Sequence, residues 1–345
     1  MKIAVAVSGG VDSLYALSAL KTAGHELIAL HGRFISPHRD PLPGLREQCA
    51  RLEIPLHVAE LREQFLQRVI EPFVSAYAEG ETPNPCAHCN SAVKFGLLLD
   101  MAQEAGAERL ATGHYAALEK HPVYGFALRR AADLGRDQSY FLSLVPKERL
   151  ALGVFPLAKL MKSDVAGHFA GQGLEAPLPE ESREICFVPG DDYRAFLEKY
   201  AERLPGPGSV CLRDGRVVGR HEGLWRYTEG QRRGLGIAWS EALYVLEKER
   251  AGNRLVVGTA EELRIHACRA GRINVFAPAA QWPERVFVRT RYKQEARAAA
   301  VTLEGEGMRV RFHEPQTACA PGQLACVYDG DGWVLAAGII QAEKS

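Results

Sequence analysis

Lys2-Ile3-Ala4-Val5-Ala6-Val7-Ser8-Gly9-Gly10-Val11-Asp12-Ser13 decides the fold class. Ile3 to Val7 is a nearly continuous apolar run rich in β-branched residues, the pattern of a strand buried on both faces of a parallel sheet. Ser8-Gly9-Gly10 breaks it, and Asp12 to Leu17 predicts a helix that ends near Gly24. Leu27 to Leu30 is a second apolar run of strand length. Strand, loop, helix and strand make a βαβ unit, which predicts a doubly wound α/β domain. The loop lies where backbone N–H groups and a helix dipole hold phosphate. Its glycines let the backbone approach an anion, Ser8 and Ser13 add hydroxyls, and Asp12 can hold Mg²⁺ or cap the helix. No Gly-Lys-Ser/Thr follows at Walker A spacing. The plain alternative is a tight glycine turn with Asp12 or Ser13 as N-cap.

Working outward, residues 60–78 predict a helix, with Leu61, Phe65, Val69 and Phe73 at steps of four. Residues 91–105 predict another, and Arg109 to Gly113 a strand end running into a glycine turn. Leu204-Pro205-Gly206-Pro207-Gly208 reads as a boundary. Short β-type runs at 209–212, 216–218, 243–247 and 255–257 follow it. Five more, at 286–292, 298–303, 308–312, 323–328 and 333–340, predict a small barrel, with Asp329-Gly330-Asp331-Gly332 as a hairpin turn. The expected division is a catalytic domain over 1–196, a small central domain over 197–262 and a C-terminal barrel over 263–345.

Composition narrows the function classes. Apolar residues are 47% and charged residues 24% of the 345, which argues against a disordered or collagen-like chain. Lys+Arg and Asp+Glu are both 42, so any nucleic-acid role must rest on local patches. Candidate patches are Arg129-Arg130 with Arg136, Lys159 with Lys162, Arg232-Arg233, and Arg289, Arg291 and Lys293. No apolar run is long enough for a membrane span, and the apolar start breaks too early for a signal peptide, so a cytoplasmic location is expected.

The eight cysteines read as thiols, metal ligands or redox groups rather than a disulfide framework. In Thr82-Pro83-Asn84-Pro85-Cys86-Ala87-His88-Cys89-Asn90 the prolines force an extended entry. Cys89 is then expected near the start of the 91–105 helix, where the dipole lowers a thiol pKa and suits a nucleophile. The pair also suits a metal or redox site, although a second C-x-x-C arm is lacking. His88 reads as a solvated loop histidine rather than a ligand. Cys186 is a further thiol of interest; Cys49, Cys211, Cys268, Cys319 and Cys326 read as core cysteines.

These motifs occur in one order. The loop, Asn84-Pro85-Cys86-x-x-Cys89-Asn90, Thr112-Gly113-His114-Tyr115, Asp137-Gln138-Ser139-Tyr140-Phe141-Leu142 and Ile185-Cys186-Phe187 come first. Tyr227-Thr228-x-Gly230-Gln231-Arg232, Arg291-Tyr292 and Pro321-Gly322-Gln323 follow. The loop resembles that of the N-type ATP pyrophosphatases, and the series as a whole resembles the bacterial tRNA-specific 2-thiouridylases over nearly the whole chain. The resemblance implies an N-terminal ATP pyrophosphatase domain, a small central domain and a C-terminal β-barrel. It implies that Ala6, Val7, Ser8, Gly9, Gly10, Val11, Asp12 and Ser13 bind ATP with Mg²⁺, with Gly32 and Gly113 close to the nucleotide. Cys89 would be the nucleophile, and Cys186 would carry a persulfide delivered by a relay protein or cysteine desulfurase. Adenylation of a uridine O2 would activate C2 for the sulfur. Asn84, Pro85, Cys86, His114, Arg136, Asp137, Gln138, Arg291, Tyr292 and Gln323 would contact tRNA.

The chemistry is consistent in itself, since a urea-like carbonyl needs a leaving group and a thiolate or persulfide is a matched soft nucleophile. The chain also departs from the family's pattern at several places. Many members have Asp at Cys86, so Cys86, Cys89 and Cys186 can alternatively be read as ligands of a four-iron–four-sulfur cluster with one open iron. The usual Met falls at Gly32, and the Pro-rich stretch 36–44 does not match. Glu229 stands where the family usually has an apolar residue. The rival readings are a different ATP-pyrophosphatase-type RNA thiolase and, outside thiolation, an amide-forming enzyme and an RNA-binding module that binds zinc or a cluster.

Overall fold

The structure, a computed structural model, describes residues 1–36, 40–171, 173–179 and 185–342. Residues 37–39 of the Pro-rich stretch, Glu184 beside Ile185-Cys186 and the last three residues of the expected barrel domain lie outside the described residues. Strands β1 (Lys2–Ala6), β2 (Glu26–Arg33), β3 (Leu56–Glu60), β4 (Arg109–Ala111), β5 (Ala116–His121), β6 (Gly125–Arg130) and β7 (Gly153–Val154) build the first domain. Five of them form a parallel sheet in the order β3-β2-β1-β4-β7. The strand order reverses between β1 and β4. The loops leaving their carboxyl ends therefore open into one crevice, the place where doubly wound sheets bind ligands. β5 and β6 form an antiparallel hairpin.

Helix α1 (Val11–Thr22) follows β1, and Gly24, at φ +78°, closes it in the left-handed region. Seven of its twelve residues are buried, and they include Ser13 and Ser18 as well as Leu14 and Leu17. The N-cap is Gly10, with no side-chain cap, so neither Asp12 nor Ser13 caps the helix as expected. The 60–78 expectation holds as helix over 62–78, with Leu61, Phe65, Val69 and Phe73 all buried. The second long helix starts earlier than the sequence reading placed it. Asn84 is the N-cap, its Oδ1 accepting from Ala87 N at 3.1 Å, and Pro85 takes N1, where its missing N–H costs nothing. Helical structure then runs from 85 to 104.

The central domain carries β8 (Gly208–Leu212), β9 (Val217–His221), β10 (Tyr244–Glu249) and β11 (Arg254–Gly258) in the order β10-β11-β8-β9. Strands β12 (Arg264–Val275), β13 (Val286–Arg289), β14 (Arg297–Glu304), β15 (Gly307–Thr317), β16 (Leu324–Tyr328) and β17 (Val334–Ile340) close a barrel, β12-β15-β14-β13-β16-β17. β12 is the strand absent from the sequence reading. Its Arg, His, Ala and Gly residues carry weak β propensity, and its pairing with β17 breaks between Gly271 and Asn274, with Arg272 at φ +49°.

The barrel and the first domain share one hydrophobic core, in which Phe276, Leu324, Cys326, Tyr328 and Val334 pack with Leu98, Leu110, Tyr140 and Leu142. Polar contacts lock this junction. Tyr140 Oη donates to a carbonyl of the barrel, Thr290 O at 3.3 Å or Leu324 O at 3.2 Å, and accepts from Leu324 N at 3.1 Å. Asn274 Nδ2 donates to Ser143 O at 2.9 Å and Val145 O at 2.7 Å. Asp137 is fully buried. Its carboxylate accepts from Ala131 N, Ser139 N, Arg130 Nε and Arg289 Nη1, each at 3.2 Å, and from Ser139 Oγ at 3.0 Å. No helix among the described residues is long and apolar enough to cross a membrane.

Candidate active site

The crevice loop is held in shape by its own serines. Ser13 Oγ donates to Gly10 O at 2.9 Å and accepts from Ser8 N at 3.2 Å, and Gly10 N lies 3.4 Å from Ser8 Oγ. Gly9 sits at φ +92°, a conformation that favours glycine. Gly113, leaving β4, lies against the start of α1: a Cβ there would meet the carbonyl carbon of Asp12 and the nitrogen of Ser13 at 2.9 Å. The close approach of the two loops therefore requires glycine. Asp12 Oδ1 accepts from Lys162 Nζ at 2.7 Å and from Tyr115 Oη at 3.0 Å. Burial, with the Asp12 carboxylate beside it, holds the Tyr115 hydroxyl far above the ordinary tyrosine range. Lys162, read from sequence as part of a patch with Lys159, thus belongs to the loop; Lys159 pairs with Glu119 instead. At Gly32 the space for a side chain is filled by the Phe34 ring, whose Cζ lies 2.5 Å from where a Cβ would stand.

The cysteine motif is placed differently from expectation. Because Pro85 starts the helix, Cys86 stands in its first turn, and Cys89 ends that segment with its thiol buried. Burial pushes Cys89 up to about 12, so the lowered pKa expected from a helix N-terminus is not what the fold gives. Cys86 and Cys186 are exposed, although the walls around them raise both thiols too. After burial, the charges of Cys86 and Cys186 add to the rise at Cys89 and that of Cys86 to the rise at Cys186, while the Lys94 charge opposes the rise at all three. Lys94 Nζ lies 3.3 Å from His114 Nε2, and His114 Nδ1 lies 2.7 Å from Thr112 Oγ1. Burial, then the Lys94 charge, keeps His114 neutral. The cysteine side and the β4 side of the crevice therefore meet through Thr112, His114 and Lys94. His88 is half-buried rather than solvated, and it lines a cavity of about 1020 Å³ between the first domain and the barrel, together with Arg269 and Arg272.

The residues expected to contact tRNA differ in exposure and in what they hold. Asp137 is fully enclosed in its ion network and offers no surface to RNA. Gln138, Arg291 and Gln323 hold backbone: Gln138 Oε1 accepts from Tyr115 N at 3.0 Å. Arg291 Nη2 donates to Glu229 O at 2.7 Å and Ala318 O at 3.1 Å, and Gln323 Nε2 donates to Thr82 O at 2.8 Å and Pro83 O at 3.2 Å. Thr82 is gripped further, by Pro321 O at 2.7 Å from its N and by Lys248 Nζ at 3.3 Å from its Oγ1. Lys248 in turn forms a buried pair with Glu229 at 3.3 Å. Tyr292 packs half-buried on Phe141, and His114 is enclosed. Asn84 and Pro85 are buried as helix cap and N1, Arg136 is half-buried, and Cys86 alone of the set is exposed. Among the remaining patch residues, Arg232, Arg233 and Lys293 are exposed. Sequence reasoning missed Lys94, Lys162 and Tyr115 as site residues. The Lys94 of Asn90-x-x-x-Lys94 carried no signal because its spacing from Cys89 does not share an α-helical face.

Three family models match the chain in succession: a tRNA methyl transferase HUP domain over residues 1–190, a tRNA methyl transferase PRC-barrel domain over 194–259 and an aminomethyltransferase beta-barrel domain over 265–340. Solved structures align only loosely. A 4-thiouridine synthetase in complex with RNA and ATP has TM-score 0.34 at 15% identity, covering 57% of this chain and 50% of that one. An NH3-dependent NAD synthetase from Campylobacter jejuni has TM-score 0.32 at 16% identity, covering 50% and 65%. Full-length relatives are much nearer. The chain is 53% identical to the tRNA-specific 2-thiouridylase MnmA of Oleidesulfovibrio alaskensis and 51% identical to that of Lawsonia intracellularis, each over 99% of both chains. With the ordered motifs, the parallel-sheet crevice, the three thiols beside it and the terminal barrel, this likeness is decisive: the chain belongs to the tRNA-specific 2-thiouridylase family.

Proposed function

We propose that the protein replaces O2 of a tRNA uridine, the wobble uridine, by sulfur in an ATP-dependent reaction that uses Cys89 and Cys186. The carrying observation is that Cys86, Cys89 and Cys186 all feel the charge of Lys94, whose ammonium reaches, through His114 and Thr112, the crevice of the Ser8–Ser13 loop. The loop N–H groups and the α1 dipole suit the triphosphate. Lys162 supplies a matching cation, and Asp12 is the carboxylate placed to hold Mg²⁺, which favours one carboxylate plus substrate phosphates. Uridine O2 attacks the α-phosphorus and pyrophosphate leaves. The terminal sulfur of a persulfide on Cys186, delivered by a relay protein or cysteine desulfurase, attacks C2, and AMP leaves with O2. Cys89 thiolate then attacks the Cys186 sulfur, releasing 2-thiouridine and leaving a Cys89–Cys186 disulfide for a thiol reductant. Exposure of Cys186 suits reception of sulfur from a partner, and burial of Cys89 suits the second, internal step. Exposed Arg232, Arg233 and Lys293 are among the surface cations available to RNA, and the cytoplasm is a compartment that keeps such thiols reduced.

The four-iron alternative is less well supported: among the described residues no three His, Cys, Asp or Glu side chains converge as a metal cradle. The family-model wording favours methyl transfer, but the relatives aligned over the full chain are thiouridylases, and thiolate nucleophiles suit sulfur transfer. The test is anaerobic purification with iron and sulfide analysis, then incubation with ATP, tRNA and a persulfide donor, with the tRNA nucleosides read by mass spectrometry. Iron-free protein that makes 2-thiouridine, and loses this with Cys89→Ser or Cys186→Ser, supports the proposal. Activity that tracks iron content, a methylated product, or full activity without Cys89 overturns it.

A further inference from the structure

The helical run from 85 to 104 is not uniform. Asn90–Leu98 winds as a π-helix and contains Gly96 at φ −91°, ψ −107°, outside helical geometry. The Arg149 guanidinium fills that break: it donates to Phe95 O, to Gly96 O at 2.8 Å and to Asp100 Oδ1 at 2.5 Å. π turns are rare and concentrate at functional sites. Here the winding has a definite geometric effect. In an α-helix, residues five apart point about 140° away from each other. Bonding from i to i+5 brings the fifth residue back toward the first. Lys94, five residues after Cys89, is thereby turned toward the side that Cys89 occupies.

Its surroundings set its role. Among the described residues no carboxylate lies within ion-pair distance of Lys94, and its hydrogen-bond partner is the enclosed His114. The ammonium donates to Nε2, which leaves the proton of this neutral imidazole on Nδ1, donating to Thr112 Oγ1. A neutral partner leaves the positive charge uncompensated. The titratable groups that face it are Cys86, Cys89, Cys186 and His114. We propose that Lys94 is a positioning residue of the sulfur-transfer site, the fixed cation that holds the thiolate or persulfide anion on these cysteines, brought there by the π-helical turn. This rests on the thiolation reading for its biological purpose, but not for its test. Burial raises each thiol while the Lys94 charge opposes the rise, in agreement with that role.

The experiment is alkylation of the full-length protein by iodoacetamide from pH 6 to 10, without ATP or tRNA, each cysteine being followed by peptide mass spectrometry. The variants are Lys94→Met, which keeps the length of the side chain, and Lys94→Arg, which keeps the charge. Cys86 and Cys186 are the exposed reporters, and half-buried Cys319, in the barrel, is the control. In Lys94→Met the alkylation of Cys86 and Cys186 at pH 7.5 is expected to slow about tenfold, the equivalent of about one pH unit in each thiol, with Cys319 unchanged. Lys94→Arg is expected to retain the wild-type profile. Unchanged Cys86 and Cys186 profiles in Lys94→Met overturn the proposal. If Cys319 also changes in that variant, Lys94→Arg decides: a retained profile supports the role of the charge, and a shifted one overturns it. Failure of the thiolation assay leaves this result standing, so the two readings fail separately.

Discussion

Asp137→Asn separates a structural role for this residue from the RNA contact implied by the family resemblance. The substitution keeps shape and size but turns one acceptor oxygen into an NH2 group. Five donors converge on the carboxylate, three of them on Oδ2 (Arg130 Nε, Ser139 Oγ and Arg289 Nη1) and two on Oδ1 (Ala131 N and Ser139 N). Whichever way the amide turns, its NH2 faces at least two of them, and both arginines lose their counter-charge. The side chain of Asp137 is wholly buried and that of Arg289 is 10% exposed, so water cannot compensate. Breaking one partner of a buried ionic network costs about 3–5 kcal/mol. At roughly 2–4 °C per kcal/mol the melting transition of the barrel and catalytic domain should fall by about 10 °C. Differential scanning calorimetry of the full chain, with tRNA binding measured well below the transition, is the assay. The expected result is a large drop in Tm with tRNA affinity nearly unchanged. An unchanged Tm with altered tRNA affinity would refute the structural reasoning and restore Asp137 as an RNA contact.

Other perturbations follow from the same geometry. Gly113→Ala puts a methyl group 2.9 Å from the Asp12 and Ser13 backbone, so ATP KM should rise while the cost in stability stays near the ~1–3 kcal/mol of overpacking; unchanged KM in steady-state kinetics would count against the close approach. Removing one member of the buried Glu229–Lys248 pair, as in Lys248→Met, should destabilise by about 3–5 kcal/mol, whereas Glu229→Leu with Lys248→Met should recover most of it. Equal losses in single and double variants by denaturant titration would contradict this. His114 is kept neutral in the fold and protonates near 6.5 when unfolded, so the unfolded state binds the extra proton and stability falls as pH drops below about 6.5. His114→Gln should flatten the fall in stability between pH 6.5 and 5; an unaltered slope would show that His114 does not contribute to it.

The strand–loop–helix opening was legible because its residues answer to local rules: β-branched residues in a buried strand, then glycines and serines in the turn. The hairpin at 329–332 was legible for the same reason, with Asp329 Oδ1 accepting from Asp331 N and Trp333 N at 2.9 Å each. What escaped depended on partners distant in sequence. β7 is two residues long and exists because β4 offers an edge, and β12 is a strand because β15 and β17 pair with it. The start of the cysteine helix was misplaced by six residues because Pro83 and Pro85 were both read as extended, whereas Pro85 is at N1. Among candidate site residues, the serines of the Ser8–Ser13 loop and the three cysteines were visible as motifs. Lys94 was hidden by π winding, and Lys162 by a sequence separation of 150 residues from Asp12.

Thr82 and Pro83, the two residues ahead of the cysteine helix cap, are held at both ends of the molecule. Gln323 and Pro321 of the barrel take their backbone, and Lys248 of the central domain takes the Thr82 hydroxyl. Among the described residues, the contacts of the Ser8–Ser13 loop stay within the first domain. The proposed nucleotide site is therefore braced by its own domain, and the proposed sulfur site is suspended from its neighbours. An RNA that displaced the outer domains would move the cysteines while leaving the phosphate loop where it stands.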